Sequence, residues 1–345
     1  MGGDRAPSEV VLGSVQAARA HPDDLRLLLV GKPDCLEAEL RAVEWKGANV
    51  EIVPAHEVIG MGDSPIVALR KKKGSSIEIA MNLVRDGRAD AVISAGNTGA
   101  CVAAGTIRLG LLPEVRRAGI AVIFTPGPQP VVAIDVGANI NAKPEQLLQY
   151  GIMASLYARK IIGVESPRVG LLNIGEEVEK GTSLAKATNA LFTESALNYA
   201  GNIEGVDIFR GGCDVAVCEG FLGNVVLKVS EGLAECLLRL FKEGAERVVR
   251  ELAASQEDGV SEQAVAKVQQ ALTGALAGLL GKVDYSEFGG APLLGVNGVV
   301  IIAHGRSDAK AIANAIHVSQ RMAEADLNRH ITEEIRAFSG QKEAS

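Results

Sequence analysis

The chain has 345 residues, is 47% hydrophobic but only 3% aromatic, and carries a formal net charge of −7. That length suits one large α/β domain or two smaller ones, and its core must be aliphatic and alanine-rich. An acidic balance with few rings argues against general nucleic-acid binding, which needs cations and stacking surfaces.

The chain opens on a loop, M-G-G-D-R-A-P at 1–7, followed by a helical stretch over 8–20. Apolar runs at 25–30, 50–53, 89–94, 120–124, 131–134, 169–173, 207–209, 215–218 and 299–303 are continuous rather than alternating. They read as strands covered on both faces. Helical stretches at 75–86, 143–159 and 182–198 separate most of them, which implies an α/β/α sandwich with a mostly parallel sheet. The runs at 120–124 and 131–134 are joined by T-P-G-P-Q-P, too short for a helical crossover, and so read as an antiparallel hairpin. A basic run, Arg70, Lys71, Lys72 and Lys73, precedes an expected helix start at Ser75 or Ser76. It is either a solvated helix entry or a contact for an anionic partner. The tail beyond about 339 is polar and expected to fray.

Most informative is V-I-S-A-G-N-T-G-A at 92–100, where a strand runs into a glycine-rich turn and a small-residue helix. Glycine lets backbone approach a ligand closely, and the free amides of a helix start favour an anion. Ser94, Gly96, Asn97, Thr98 and Gly99 are therefore candidates for cradling phosphate, with Asn97 and Thr98 donating from their side chains. Similar loops follow other apolar runs: D-V-G-A-N at 135–139, L-N-I-G-E-E at 172–177, G-N-I-E-G at 201–205, E-G-F-L-G-N-V-V-L-K at 219–228 and A-H-G at 303–305. In a parallel sheet the carboxyl ends of strands share one edge, so these loops are expected to converge on one cleft. That adds Asp135, Asn139, Lys143, Asn173, Gly175, Glu176, Lys180, Asn224, Lys228 and His304 as candidates. Asp135 serves equally well as a buried turn-closing residue. Cys35, Cys101, Cys213, Cys218 and Cys236 form no C-x-x-C pair, so no metal site is expected, and they read as small hydrophobes of a reducing compartment. With no signal peptide and no membrane-spanning run, a cytoplasmic protein is expected.

Taken in this order, the motifs from 1 to about 308 resemble those of the phosphate acyltransferases of bacterial phospholipid synthesis. The resemblance implies a fold like the isopropylmalate dehydrogenases and phosphotransacetylases, one catalytic domain over 1–345 with a protruding helical hairpin at 230–285. It implies transfer of an acyl group from acyl carrier protein to inorganic phosphate, without a cofactor or metal. Asn97, Lys180, His304, Asn224 and Lys228 become the expected catalytic residues, and Arg70, Lys71 and Lys72 a contact for the carrier protein or for a substrate anion. Where the family usually has Asp, this chain has Glu219, which ranks below Asn224 and Lys228. Members are homodimers whose hairpins touch the membrane, with a glycerol-3-phosphate acyltransferase downstream. The apolar helix over 261–283 carries Val265, Val268, Leu272, Leu276, Leu279 and Val283 at helical spacing. Its stripe, with Leu272, Leu276 and Leu279, either packs on the preceding helix or a second subunit, or lies on anionic lipid. Members also carry a short strand ahead of the residue matching Met1; without it a sheet edge is expected to be exposed. Rival readings are a phosphotransacetylase-type enzyme using acyl-coenzyme A, a decarboxylating dehydrogenase, for which no metal-binding Asp set is apparent, and a non-catalytic membrane scaffold for lipid enzymes.

Overall fold

The continuous aliphatic runs do form strands, since β-branched residues covered on both faces fill a pleated sheet well. The computed structural model describes residues 1–125, 127, 129–254, 261–283 and 289–343. In chain order its strands are β1 (Leu27–Gly31), β2 (Val50–Pro54), β3 (Ala91–Ser94), β4 (Gly119–Phe124), β5 (Val131–Ile134), β6 (Val169–Leu172), β7 (Tyr199–Ile203), β8 (Val215–Val217), β9 (Ala291–Leu294) and β10 (Val299–Ile302). The helices are α1 (Ser8–Ala20), α2 (Pro33–Ala42), α3 (Pro65–Lys71), α4 (Ser76–Arg85), α5 (Thr98–Ala104), α6 (Pro144–Tyr157), α7 (Ser183–Thr193), α8 (Asp207–Arg210), α9 (Gly220–Ala254), α10 (Glu262–Val283), α11 (Ala309–Glu324) and α12 (Leu327–Glu343).

Among the described residues, eight strands form one sheet in the order β3-β10-β9-β4-β5-β8-β6-β7. Helices cover both faces, as the sandwich reading requires. On one face Leu147, Tyr150, Met153 and Ile331 pack against Ile134, Val169, Val215 and Ile301. On the other, Ile77, Met81, Ala100 and Cys101 pack against Val92, Ala133 and Val300. The expected hairpin is present as antiparallel β4 and β5; in its connection Pro126 and Pro128 lie outside the described residues.

Several short elements differ from the sequence reading. Residues 207–209 form the helix α8, while the loop motif at 201–205 contains the end of β7. Both segments are at most five residues long, too short for periodicity to separate helix from strand. The sequence A-P-L-L forms β9, unforeseen because proline disfavours a central strand. Helix α9 begins at Gly220, so it absorbs the E-G-F-L-G-N-V-V-L-K motif that read as a loop. The tail expected to fray continues as α12 to Glu343.

Strands β1 and β2 stand apart as a parallel pair. Both β1 and β3 pack against α4, yet they are not paired with each other. A cavity of about 690 Å³ separates them, lined by Met1, Leu27, Leu29, Ile77, Val92 and Ile316 among others.

Candidate functional site

Strand direction divides the candidate residues into two groups. Strand β10 is parallel to β3 and antiparallel to β9; β9 is antiparallel to β4, and β4 to β5. From β5 onward β8, β6 and β7 all run parallel to β5. Three successive reversals leave β3 and β10 pointing opposite to β5, β8, β6 and β7. Their carboxyl ends therefore lie at opposite edges of the sheet. This corrects the expectation of one shared cleft. Ser94, Gly96, Asn97, Thr98, Gly99 and His304 belong to a first edge. Asp135, Asn139, Lys143, Asn173, Gly175, Glu176, Lys180, Asn224 and Lys228 belong to the second.

At the first edge four loops interlock. A Cβ on Gly3 would sit 2.6 Å from the Ala95 oxygen, and one on Gly2 2.7 Å from the Ile59 oxygen, so only glycine permits these approaches. The Asp4 amide donates to the Gly305 oxygen (2.9 Å). Ser94 Oγ accepts from the Gly96 amide (3.3 Å). Thr98 and Gly99 are exposed where α5 begins, as are His304, Arg306 and Arg5. His304 Nδ1 accepts from the Arg306 amide (3.1 Å).

Asn97 has a different role from the expected one. Its side chain caps α5 by accepting from the Ala100 amide (2.9 Å). Its amide group donates to the carbonyls of Gly60 (3.2 Å), Met61 (3.0 Å) and Asp63 (3.1 Å). Only 7% of the residue is exposed. Its donors are committed to protein, so it holds the loop at 58–63 over the glycine turn instead of offering itself to a substrate. Lys72 is likewise engaged. Its Nζ donates to Asp63 Oδ2 (2.5 Å) and the Val58 oxygen (2.9 Å), which removes it from the carrier contact; Arg70 and Lys71 remain exposed. The Lys72 ammonium, with the Gly60 amide, holds the Asp63 carboxyl below the usual carboxylate range. Sequence reasoning missed the loop at 58–63; its only signal was D-S-P at 63–65.

At the second edge much of the polar chemistry is turned inward. Asp135 is fully buried, and its carboxylate accepts from the backbone amides of Ile120, Gly137, Ala138 and Asn139 at 2.8–3.1 Å. Burial pushes its pKa up, and those four amides oppose the shift. Asn139 donates to the Ala118 oxygen (2.6 Å) and the Tyr150 hydroxyl (2.7 Å). Asn173 bonds the Lys180 oxygen (3.1 Å) and the Ile174 amide (2.9 Å). These three shape loops, so the structure does not present them as ligand groups. Gly175 is buried, whereas Lys143, Glu176, Lys180, Asn224 and Lys228 are exposed. Lys228 is paired with Glu231 (2.7 Å). Glu219 accepts from the Phe221 and Leu222 amides and so caps α9. Cys218 is buried, with its thiol toward the Asp135 oxygen, and burial raises its pKa, which removes it as a nucleophile.

The apolar stripe of α10 faces α9. Val265 is buried, Val268, Leu272 and Leu276 are half-buried, and Gln269, Gln270 and Thr273 are exposed. The side chain of Leu279, residues 255–260 and the end of the hairpin at 284–285 lie outside the described residues. Of the alternatives left open for this stripe, packing on the preceding helix is the one that Leu272 and Leu276 show within the described residues. The outward stripe is on α9, where Val229, Leu233, Leu237 and Leu240 are exposed. No described helix is long and apolar enough to cross a membrane.

Comparison with known proteins bears on what such a molecule does. The model of one family, described as fatty acid synthesis protein, matches residues 1–330. A phosphate acyltransferase of Halothermothrix orenii is 44% identical over 337 residues, spanning 97% of this chain and 96% of that one. One of Geobacter sulfurreducens is 44% identical over 353 aligned positions, spanning 100% and 97%. Among solved structures, a phosphotransacetylase from Streptococcus pyogenes superposes with a TM-score of 0.58 at 15% identity, covering 91% of each chain. The EutD phosphotransacetylase from Staphylococcus aureus gives 0.56 at 13%, covering 92% of each. At those identities the structural likeness speaks for the fold alone.

Proposed function

The chain belongs to the fatty acid synthesis protein family, with phosphate acyltransferases as its curated relatives, and from that membership we propose which of its residues carry the reaction. The enzyme transfers the acyl group of acyl-[acyl carrier protein] to inorganic phosphate, yielding acyl-phosphate and free carrier protein for phospholipid synthesis. A phosphate oxygen attacks the thioester carbonyl, a tetrahedral oxyanion forms, and its collapse breaks the carbon–sulfur bond and expels the thiolate. A thiolate needs little acid help to leave, so positioning and charge stabilisation supply most of the catalysis.

The reaction centre in this reading is the first edge. The observation that carries it is the interlocking of loops 2–4, 58–63, 94–97 and 303–306 beside an exposed helix start. Thr98, Gly99 and the amides opening α5 receive phosphate, with Arg306 adding positive charge. His304, whose Nδ1 accepts the Arg306 amide at the same edge, stands in this reading beside the developing oxyanion. Lys180, Asn224 and Lys228, at the other edge, are left out of this centre. The test is acyl-phosphate formation from acyl-carrier protein and phosphate by the intact chain, then by Thr98→Val and His304→Ala. Thioester loss that persists without phosphate counts against the reading, as does full activity in both variants. One rival, an acyl-coenzyme A substrate, is separated by the same assay when the thioester is exchanged.

Quaternary structure and location complete the proposal. Two copies associate through the outward stripe of α9, which covers Val229, Leu233, Leu237 and Leu240. The outer part of the α9–α10 pair meets anionic membrane, where lipophilic acyl-phosphate passes to a glycerol-3-phosphate acyltransferase. Sedimentation equilibrium and flotation with anionic vesicles test the two parts separately. A monomeric Leu237→Glu variant is expected; a chain that is monomeric without substitution, or never floats, removes the corresponding part.

A further inference from the structure

Helix α3 turns two kinds of side chain outward. Ala68 and Leu69 are buried and anchor it, while Ile66, Val67, Arg70 and Lys71 are exposed. Residues four apart are neighbours on a helix surface, so Ile66 stands beside Arg70 and Val67 beside Lys71. Ile66 leaves 54% of its surface in water, Val67 48%, and Met61, on the loop leading into α3, 45%. The face thus grades from apolar at its start to cationic at its end. In a chain with a net charge of −7, residues 64–77, which include all of α3, contain no carboxylate. The adjoining Asp63 is already neutralised by Lys72.

The position of this face gives it a role. Pro65, the first residue of α3, lies against Gly99; a Cβ built on Gly99 would be 2.6 Å from Pro65 Cγ. Asn97 grips the loop that leads into α3 through three of its carbonyls. The face therefore begins beside the turn where the acyl carbonyl must arrive, and it is tied to that turn. An exposed apolar cluster bordered by cations fits a protein that presents an apolar patch among carboxylates. Complementary charge speeds encounter and fixes register, and the apolar centre slows release.

We propose that the exposed face of α3, with Ile66 and Val67 at its centre and Arg70 and Lys71 at its border, is where the acyl carrier protein docks. This rests on the functional reading above, which makes the carrier protein a substrate, and adds where it binds. Lys72 is not part of the surface; it braces the loop behind it.

Two double variants test the surface: Arg70→Glu with Lys71→Glu, and Ile66→Ser with Val67→Ser. Carrier-protein binding is titrated directly, and kinetics are measured with acyl-carrier protein and with the same acyl group on free pantetheine. The charge variant should raise Kd and KM for the carrier protein by about tenfold or more at low salt, with the difference shrinking as salt rises. The apolar variant should raise them without that salt dependence. KM for phosphate, turnover of acyl-pantetheine and the melting temperature should stay at wild-type values. Unchanged carrier binding in both variants overturns the proposal, as does equal loss on both thioesters. Loss of vesicle flotation with carrier binding intact assigns the face to lipid and also overturns it. Wild-type chain that binds carrier protein but forms no acyl-phosphate instead sinks the functional reading, and the binding titration still decides the surface.

Discussion

Replacing Asn97 by alanine should cost stability first and activity as a consequence. The side chain caps α5 and satisfies three carbonyls of the 60–63 loop with its two N–H groups. Losing an asparagine cap costs about 1 kcal/mol. Each N–H withdrawn from a buried carbonyl costs about 1–2 kcal/mol. Together these give about 3–5 kcal/mol. A chain of this length unfolds with an entropy near 0.7 kcal/mol/K, so the melting temperature should fall by about 4–7 °C. Asn97→Asp separates the two contributions. It keeps the cap acceptor, since Asp and Asn cap equally well, but turns a carboxylate oxygen toward three carbonyl oxygens. It should therefore melt below the alanine variant, despite its closer shape. Differential scanning calorimetry gives both melting temperatures, with turnover measured well below them. An alanine variant that melts with the wild type yet has lost turnover would refute the reasoning and return Asn97 to direct contact with substrate.

Glycines along α9 should divide by their surroundings. A Cβ on Gly223 would lie 1.9 Å from the Asp135 oxygen, whereas Gly232 has nothing within 4 Å; Gly223→Ala should prevent normal folding, and Gly232→Ala should stabilise by about 0.5–1 kcal/mol in denaturant melts. Cysteine labelling at pH 8 should modify exposed Cys35 readily and spare buried Cys101, Cys213 and Cys218 until the chain unfolds. Burial pushes the Cys101 and Cys213 thiols up to about 12 from 9.0. A folded pKa raised in this way leaves stability intact below 9 and removes it as pH rises toward 12, because the unfolded thiols ionise first. Cys101→Ala should flatten part of that alkaline loss in pH-dependent melts. Hydrogen exchange should be faster at the cavity-facing edges of β1 and β3 than in β5, which is hydrogen-bonded on both sides; equal protection would mean those edges are covered in solution.

Much of the molecule was legible in the sequence because its determinants are local. Continuous aliphatic runs at 120–124, 131–134 and 299–302 require a sheet covered on both faces. The glycine turn at 94–99 requires close backbone approach at a strand end. The ordered motifs identify the family. Other features depend on partners distant in the chain. Asn97 reads the same whether its amide meets a substrate or the carbonyls of residues 60–63. The stripe of α10 reads the same whether it faces lipid or α9. Strand direction is the largest of these. The hairpin of β4 and β5 already contained one reversal, but the reversals at β9 were hidden in a four-residue run containing proline. A short apolar run specifies burial and has no signal for the sense in which it is threaded, because direction follows from which edge it pairs with. Only the assembled sheet could show that β3 and β10 open toward one edge and β5, β8, β6 and β7 toward the other, and so which glycine loops meet.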